Sequence, residues 1–244
     1  NRHPHLYEPR GSRAVFWENL RSDVGHALVM ARRRPIVTAL AVLALALGIG
    51  FRAVSDDDFA RVTIAQSFAH TPVFDASGTS WLPFPFWITG SAMLVAGRSL
   101  LVARIVALLL GLVSAALVGV AAYRLTNHRQ GAFLGAVFAA VFPWSVRLGV
   151  ATVPELLTAA LGVLALASLA DASVRFRCVG GAALFCATLS RYDVWPIAMA
   201  FAVFTAYDMW RLDKPFVRQR FFLGLAIILA LAGPGIWIWW NHVA

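Results

Sequence analysis

Charged residues are scarce in this sequence. Only 14% of its 244 residues are Asp, Glu, Lys or Arg, whereas 60% are hydrophobic, and the mean hydropathy is +0.72. A soluble domain of this size carries more charge on its surface, so the composition is that of the membrane class. The scarcity of charge therefore excludes a soluble globular domain and predicts an integral membrane protein.

Acidic residues are scarcer than basic ones, with 12 Asp and Glu against 21 Lys and Arg and a net charge of +9. A basic balance can indicate nucleic-acid binding. Here, however, the arginines occur in short clusters beside apolar runs, where they set orientation and contact lipid headgroups. We therefore expect membrane lipids as partners, and no nucleic acid.

Cysteine is almost absent. Cys178 and Cys186 lie in one apolar segment, and eight helical residues would separate them by about 12 Å, too far for a disulfide. The sequence also has no internal repeat, no Cys/His spacing typical of metal sites and no glycine loop for cradling a nucleotide phosphate. These absences exclude a zinc module and make soluble nucleotide-sugar chemistry a poor interpretation.

The two ends of the sequence lead to two separate expectations, one about a signal peptide and one about missing sequence. No cleavable signal peptide is predicted, because the first apolar run begins well inside the chain and precedes no soluble domain. The sequence begins with Asn1 rather than Met and stops after an apolar segment. This suggests a fragment whose C-terminal remainder is missing.

Apolar runs dominate what is present. The first, 36–51, follows Arg32-Arg33-Arg34-Pro35, which predicts a cytosolic N-terminus by the positive-inside rule. Residues 1–35 would form a basic cytosolic tail, with either an interfacial helix over 14–33 or partial order. Six further runs lie at about 100–123, 131–146, 154–170, 178–190, 196–210 and 221–240.

The run over 82–96 decides the topology. Counting it as a span would invert every later helix and place the basic loops at 124–129, 175–177 and 211–220 outside, against the positive-inside rule. It is short and carries Pro83 and Pro85, so we interpret it as an interfacial or re-entrant helix. The predicted fold is all-α: a transmembrane module over 36–240 with about seven membrane-spanning helices and a long first outer loop, 52–99.

A second helix is expected within that outer loop. Ser55 as N-cap and Asp58 three residues later form a capping box, so a helix should run from Asp56 to about His70. Thr71-Pro72 would end it, and residues 77–80 read as a turn before Trp81, whose ring suits a membrane interface.

With this topology, unusual polar residues gather at the outer boundary: Asp56, Asp57, Asp58, Arg98, Arg104, Arg147, Glu155, Arg191, Tyr192 and Asp193. Ionisable groups at membrane depth are costly and are functional candidates by default. Capping of a helix would explain one or two of the three aspartates, at roughly 0.3–1 kcal/mol each. Three adjacent carboxylates repel one another unless a cation offsets them, so we expect a functional role for at least one.

The remaining candidates each have a structural alternative. Glu155 follows Pro154 at the start of a span, where capping and function compete equally. Arg191 has a planar fork suited to phosphate, although a pair with Asp193 could be purely structural. Arg98 could simply reach headgroups, and His70 is mainly expected to be an interface residue.

The order of these motifs resembles the GT-C superfamily of polyprenyl-phosphate-sugar-dependent glycosyltransferases, especially its protein mannosyltransferase and aminoarabinose transferase branch (glycosyltransferase family 39-like). The matching segments are Ser55–Phe59, Trp81–Trp87, Gly97–Leu100 with Arg104, Phe142-Pro143-Trp144, Pro154-Glu155 and Leu189–Asp193. Family members commonly carry Asp-Glu where this chain has three aspartates, so the equivalent aspartate is ambiguous.

The resemblance implies an inverting glycosyltransferase that acts at the outer, periplasmic face of a bacterial inner membrane. Its partners would be a polyprenyl-phosphate sugar donor and a lipid, glycan or protein acceptor. Asp57, or next Asp56, would be the catalytic base, with Asp58 and Glu155 in support. The further assignments are Arg191 and Arg98 for the donor phosphate, and Tyr192, Asp193, His70 and Trp81 near substrate. No cofactor is certain, but a divalent cation, Mg²⁺ or Mn²⁺, would take Asp56 and Asp58 as ligands.

Two other classes of function stay open. A transporter or flippase for a lipid-linked or anionic substrate would place charges near the bilayer midplane and repeat its halves, and the sequence shows neither pattern. A noncatalytic membrane scaffold would fit if the acceptor site lay in the missing remainder.

Overall fold

The computed structural model describes residues 56–141, 148, 151–171, 173–211 and 217–243. Every regular element in these ranges is helical, which confirms the all-α prediction. The helices are α1 (Asp56–His70), α2 (Phe84–Ala96), α3 (Leu100–Thr126), α4 (Arg129–Val141), α5 (Glu155–Ala170), α6 (Val174–Thr188), α7 (Trp195–Arg211) and α8 (Val217–Val243), with a short 3-10 turn at Tyr192–Val194.

Several predictions fall outside the described residues. These are the basic tail, the first apolar run, the Ser55 cap, the Phe142-Pro143-Trp144 motif and Arg147. The side chain of Asp56 is also outside, although α1 begins at this residue.

The two helices predicted for the outer loop are both present. Helix α1 ends at His70, and α2 begins after Pro83 and ends at Gly97, whose φ of 96° suits a residue without a side chain. They pack on one another through Val62, Ala65 and Met93, and Ala103 of α3 completes this small core. The segment 56–96 is therefore anchored to the helix bundle.

Two helices have the length and composition of membrane spans. Helices α3 and α8 each have 27 residues and are apolar enough to cross a bilayer. Helices α4 to α7 have 13, 16, 15 and 17 residues, fewer than the ~20 that a perpendicular span needs. The structure therefore supports membrane association through two helices, and the count of seven remains an expectation from the sequence.

Helix α6 lies at the centre of the bundle, between α5 and α8. The core around it contains Ala165 of α5, Leu184 and Ala187 of α6, and Ala226 and Ala230 of α8. Small residues let the backbones approach closely, as is common in membrane helix packing. This packing sets where the ends of α5, α6 and α8 lie relative to one another.

The predicted basic loops gather at one end of this bundle, called here the basic end. Arg124 at the end of α3 pairs with Asp171 after α5, and Arg175 and Arg218 both lie over the ring of Phe222. The opposite end holds the start of α1, the segment before α5 and the turn after α6, and is called the site end. The basic residues that are expected to set membrane orientation therefore lie at the opposite end of the bundle from the candidate site.

Candidate functional site

A long-range contact fixes the first turn of α1. Asp58 is only 7% exposed, and its Oδ1 accepts hydrogen bonds from Thr152 N at 2.9 Å and Thr152 Oγ1 at 3.0 Å. The sequence predicted that Asp58 would cap its own helix with Ser55, and Ser55 is outside the described residues. Thr152 was missed. The contact joins residues 94 positions apart, so Asp58 holds α1 against the segment that leads into α5.

Asp57 is in a different environment from its neighbour. Its side chain is exposed, whereas that of Asp58 is buried by the contact with Thr152. Among the described residues, no hydrogen bond engages the Asp57 carboxylate. The structure thus separates two adjacent aspartates into a buried anchor and a carboxylate that is open to solutes.

The predicted pair Glu155 and Arg191 does meet at the site end. Arg191 Nη1 donates a hydrogen bond to Glu155 Oε1, and its Nε donates to both carboxylate oxygens of Asp193 at 3.1 Å. About a third of the Arg191 and Glu155 side chains is exposed, so solvent weakens this ion pair to roughly 0–1 kcal/mol. The geometry therefore orients Glu155 more than it stabilises the fold.

Arg61 belongs to the same site and was not predicted from the sequence. It lies one helical turn after Asp57 and Asp58, a spacing that places the three on one face of α1. Its guanidinium carbon is 4.5 Å from the centroid of the Trp81 ring and 5.9 Å from that of Phe86. An arginine three or four residues after an acidic motif is a sequence signal that could have identified Arg61.

The electrostatics of Arg61 are unusual for an arginine. Burial lowers its pKa, while the carboxylates of Glu155 and Asp57 act to raise it and the nearby Arg191 acts to lower it. Its Nε is buried and has no hydrogen-bond partner in the described part of the chain. Buried polar atoms are nearly always paired, so an unpaired one in a site requires an explanation.

Glu155, like Arg61, has a buried polar atom without a hydrogen-bond partner among the described residues. Its Oε2 is buried and, among the described residues, also lacks a hydrogen-bond partner, as does Thr158 Oγ1 one turn further along α5. The site end thus contains a buried donor on Arg61 and a buried acceptor on Glu155, each unsatisfied. An unmet buried group costs about 1–3 kcal/mol, and a ligand with both acceptor and donor atoms would recover that cost.

An apolar groove adjoins these polar residues. Its enclosed volume is only about 30 Å³. Its walls come from α2, α3, the segment before α5 and the start of α5, and they include Ile88, Ala107, Leu110 and Leu157. Thr152, which donates hydrogen bonds to Asp58, and Ser190, which precedes Arg191 in the chain, also line it, so the groove adjoins the site end. Because its enclosed volume is small, the groove is shallow, and its apolar lining is a contact surface of the kind that a hydrocarbon chain needs.

The aromatic candidates differ in position. Trp81 lies under the Arg61 guanidinium and is therefore part of the site. The hydroxyl of Tyr192 accepts a hydrogen bond from Trp237 Nε1 at 2.9 Å, and its ring is 5.1 Å from that of Trp195. Tyr192 thus links the turn after α6 to α8 rather than facing Glu155.

Two candidates are not brought to the cluster. Arg98 and His70 are exposed, and the described contact of Arg98 is its carbonyl oxygen accepting from Gln66 Nε2 at 3.1 Å. Within the described ranges, neither side chain contacts Glu155 or Arg191. Their predicted roles in substrate binding have no support from position.

No protein-family profile, curated protein or solved structure matches this chain.

Proposed function

We propose that this chain is a polytopic membrane glycosyltransferase of the GT-C type, with about seven spans. It would transfer a sugar from a polyprenyl-phosphate donor to an acceptor hydroxyl at the outer face of a bacterial inner membrane. The observation that carries the proposal is the convergence of Asp57, Glu155 and two arginines, Arg61 and Arg191, at one end of an apolar helix bundle. The apolar lining of the adjoining groove is a surface along which the lipid chain would lie.

Asp57 is the base in this proposal. It is exposed, while Thr152 holds Asp58 in place beside it. An ionised carboxylate within reach of the acceptor takes the hydroxyl proton as the oxygen attacks the anomeric carbon. The bond from that carbon to the phosphate oxygen breaks, its electron pair leaves with the polyprenyl phosphate, and the configuration inverts.

The guanidinium groups at the site end stabilise the charge that develops on the departing phosphate. Because a phosphate is already a good leaving group, positioning of donor and acceptor should supply most of the rate. The contact between Asp58 and Thr152 serves this positioning, since it sets the start of α1 against the segment that carries Glu155.

A divalent cation remains part of the proposal only as an expectation. The site end holds more carboxylates than arginines. The carboxylates are those of Asp57, Asp58, Glu155 and Asp193, and the arginines are Arg61 and Arg191. A cation would offset the excess negative charge. Within the described ranges, no group of three His, Cys, Asp or Glu side chains is placed to hold a metal, and Asp58 Oδ1 is occupied by Thr152. In the proposed reaction, the protein's own residues carry out every step.

The test measures release of polyprenyl phosphate, the product common to every sugar, from proteoliposomes that contain a set of polyprenyl-phosphate sugars and acceptors. We expect Asp57→Asn to reduce release at least about 100-fold, the usual contribution of a general base, with thermal unfolding unchanged. Asp75→Asn is the matched control, because the Asp75 oxygen that accepts from Ser77 N and Gly78 N has an equivalent in Asn. Wild-type release by Asp57→Asn and by Asp56→Asn would refute the assignment of the base.

A further inference from the structure

The two arginines of the site differ in how their donors are used. Arg191 already donates to Glu155 and to both oxygens of Asp193. Arg61 makes no such hydrogen bond within the described residues, and its Nε is buried and unpaired. A phosphate that approached Arg191 would have to displace carboxylates of its own charge, whereas Arg61 can accept an anion without losing an existing hydrogen bond.

Arg61 is also held ready for a ligand. Its guanidinium lies 4.5 Å from the Trp81 ring centroid, and stacking on an aromatic face restricts the plane of an arginine fork. The Arg61 side chain has therefore already lost, on folding, part of the conformational entropy that ligand binding would otherwise remove. Partial burial also strengthens any charge-assisted hydrogen bond that the guanidinium makes.

The carboxylates near Arg61 act on its charge through space and not through direct hydrogen bonds among the described residues. Burial is the main cause that lowers its pKa, and the carboxylates of Glu155, Asp57 and Asp58 act to raise it through space. Arginine keeps its proton in proteins, so the group remains a cation. A phosphate oxygen in direct contact would give Arg61 Nε the hydrogen bond that these carboxylates do not supply.

We propose that Arg61, and not Arg191, is the principal ligand of the lipid-linked phosphate, with Arg191 acting as a positioning residue for Glu155. This rests on the proposed function, since the phosphate is that of the isoprenyl donor. The groove lined by Ile88 and Leu110 receives the hydrocarbon chain of the same molecule.

The experiment measures equilibrium binding to the purified full chain in detergent. Farnesyl phosphate is the probe, farnesol lacks the phosphate, and inorganic phosphate lacks the lipid. Arg61→Gln should weaken farnesyl phosphate binding by about 10- to 100-fold, as expected for the loss of charge-assisted hydrogen bonds, and should leave farnesol binding unchanged. Arg191→Gln should weaken it less than Arg61→Gln.

Two further variants separate binding from structure. Arg61→Lys keeps the charge but lacks Nε and the planar fork, so it should restore thermal stability without restoring full affinity. Full affinity in Arg61→Lys would show that only a charge is needed there and would overturn the proposal. Arg220→Gln, an exposed change at the basic end, should bind as wild type does.

The outcomes distinguish this inference from the function on which it rests. Wild-type affinity in Arg61→Gln together with a loss in Arg191→Gln would overturn the assignment to Arg61 and leave the transferase proposal standing. Binding of inorganic phosphate as tight as that of farnesyl phosphate would assign the site to a soluble phosphate and overturn the inference. Equal binding of farnesol and farnesyl phosphate by the wild type would refute both proposals.

Discussion

Gly181 offers a sharp test of how the bundle positions the site. It lies in α6 where that helix crosses α8, and a Cβ atom added there would be 2.5 Å from the carbonyl oxygen and 3.0 Å from the Cα of Ala226. Both neighbours are backbone atoms, so no side-chain rotation can make room. Gly181→Ala must push the two helices apart.

Two opposing effects set the change in the free energy of unfolding that Gly181→Ala should cause. Overpacking of this kind costs about 1–3 kcal/mol, and replacing a helical glycine by alanine recovers about 0.5–1 kcal/mol. The net loss is about 1 kcal/mol or somewhat more, which for a chain of this size lowers Tm by about 2–4 °C or more. The same shift should disturb the site end, because α6 leads into Arg191 and α8 carries Trp237, the partner of Tyr192.

Thermal unfolding followed by intrinsic tryptophan fluorescence in one detergent measures this loss. Gly224→Ala is the matched control, since it makes the same change in α8 where a Cβ meets nothing within 4 Å, and it should raise Tm or leave it unchanged. Equal Tm values for the two variants, or a higher value for Gly181→Ala, would refute the close packing of α6 on α8.

Two further predictions concern the basic end and the membrane orientation. Arg177→Met should destabilise the chain by about 2–3 kcal/mol, and Asp208→Asn by less, when both are measured by the same thermal unfolding. The reason is that the buried Arg177 side chain donates to the carbonyls of Ser168 and Leu169 as well as to the half-exposed Asp208; equal losses would contradict it. Thr79→Cys should react with an impermeant thiol reagent outside intact cells and Arg220→Cys only after the inner side is opened, whereas the reverse pattern would invert the topology.

Part of the site is recognisable from the order of residues along the chain. Glu155 and Arg191 stand out because an ionisable residue at the end of an apolar run is costly unless it has a purpose. That argument uses only hydropathy and position in the sequence. The two side chains do meet at one end of the bundle.

The spacing of Arg61 from the acidic motif was an available signal, but its stacking on Trp81 and the role of Thr152 could not be found in that way. The importance of Arg61 depends on a tryptophan ring twenty positions further along the chain, and that of Thr152 on an aspartate 94 positions away. Single-sequence patterns report neighbours at helical spacing, and neither contact has such a spacing. Arg98 shows the converse limit: its place beside an apolar run was suggestive, but in the structure its side chain is exposed and does not join the cluster.

The class of molecule follows from the amino-acid sequence without any knowledge of its packing. Scarce charge and long apolar runs predict an all-helical membrane protein, and capping and proline signals located α1 and α2, because hydropathy and local backbone preference are properties of short segments. Which of two adjacent aspartates is buried, and which arginine keeps an unpaired donor, depend instead on the tertiary structure. Those distinctions arise from packing between distant segments, where burial and hydrogen-bond competition set the state of each charge.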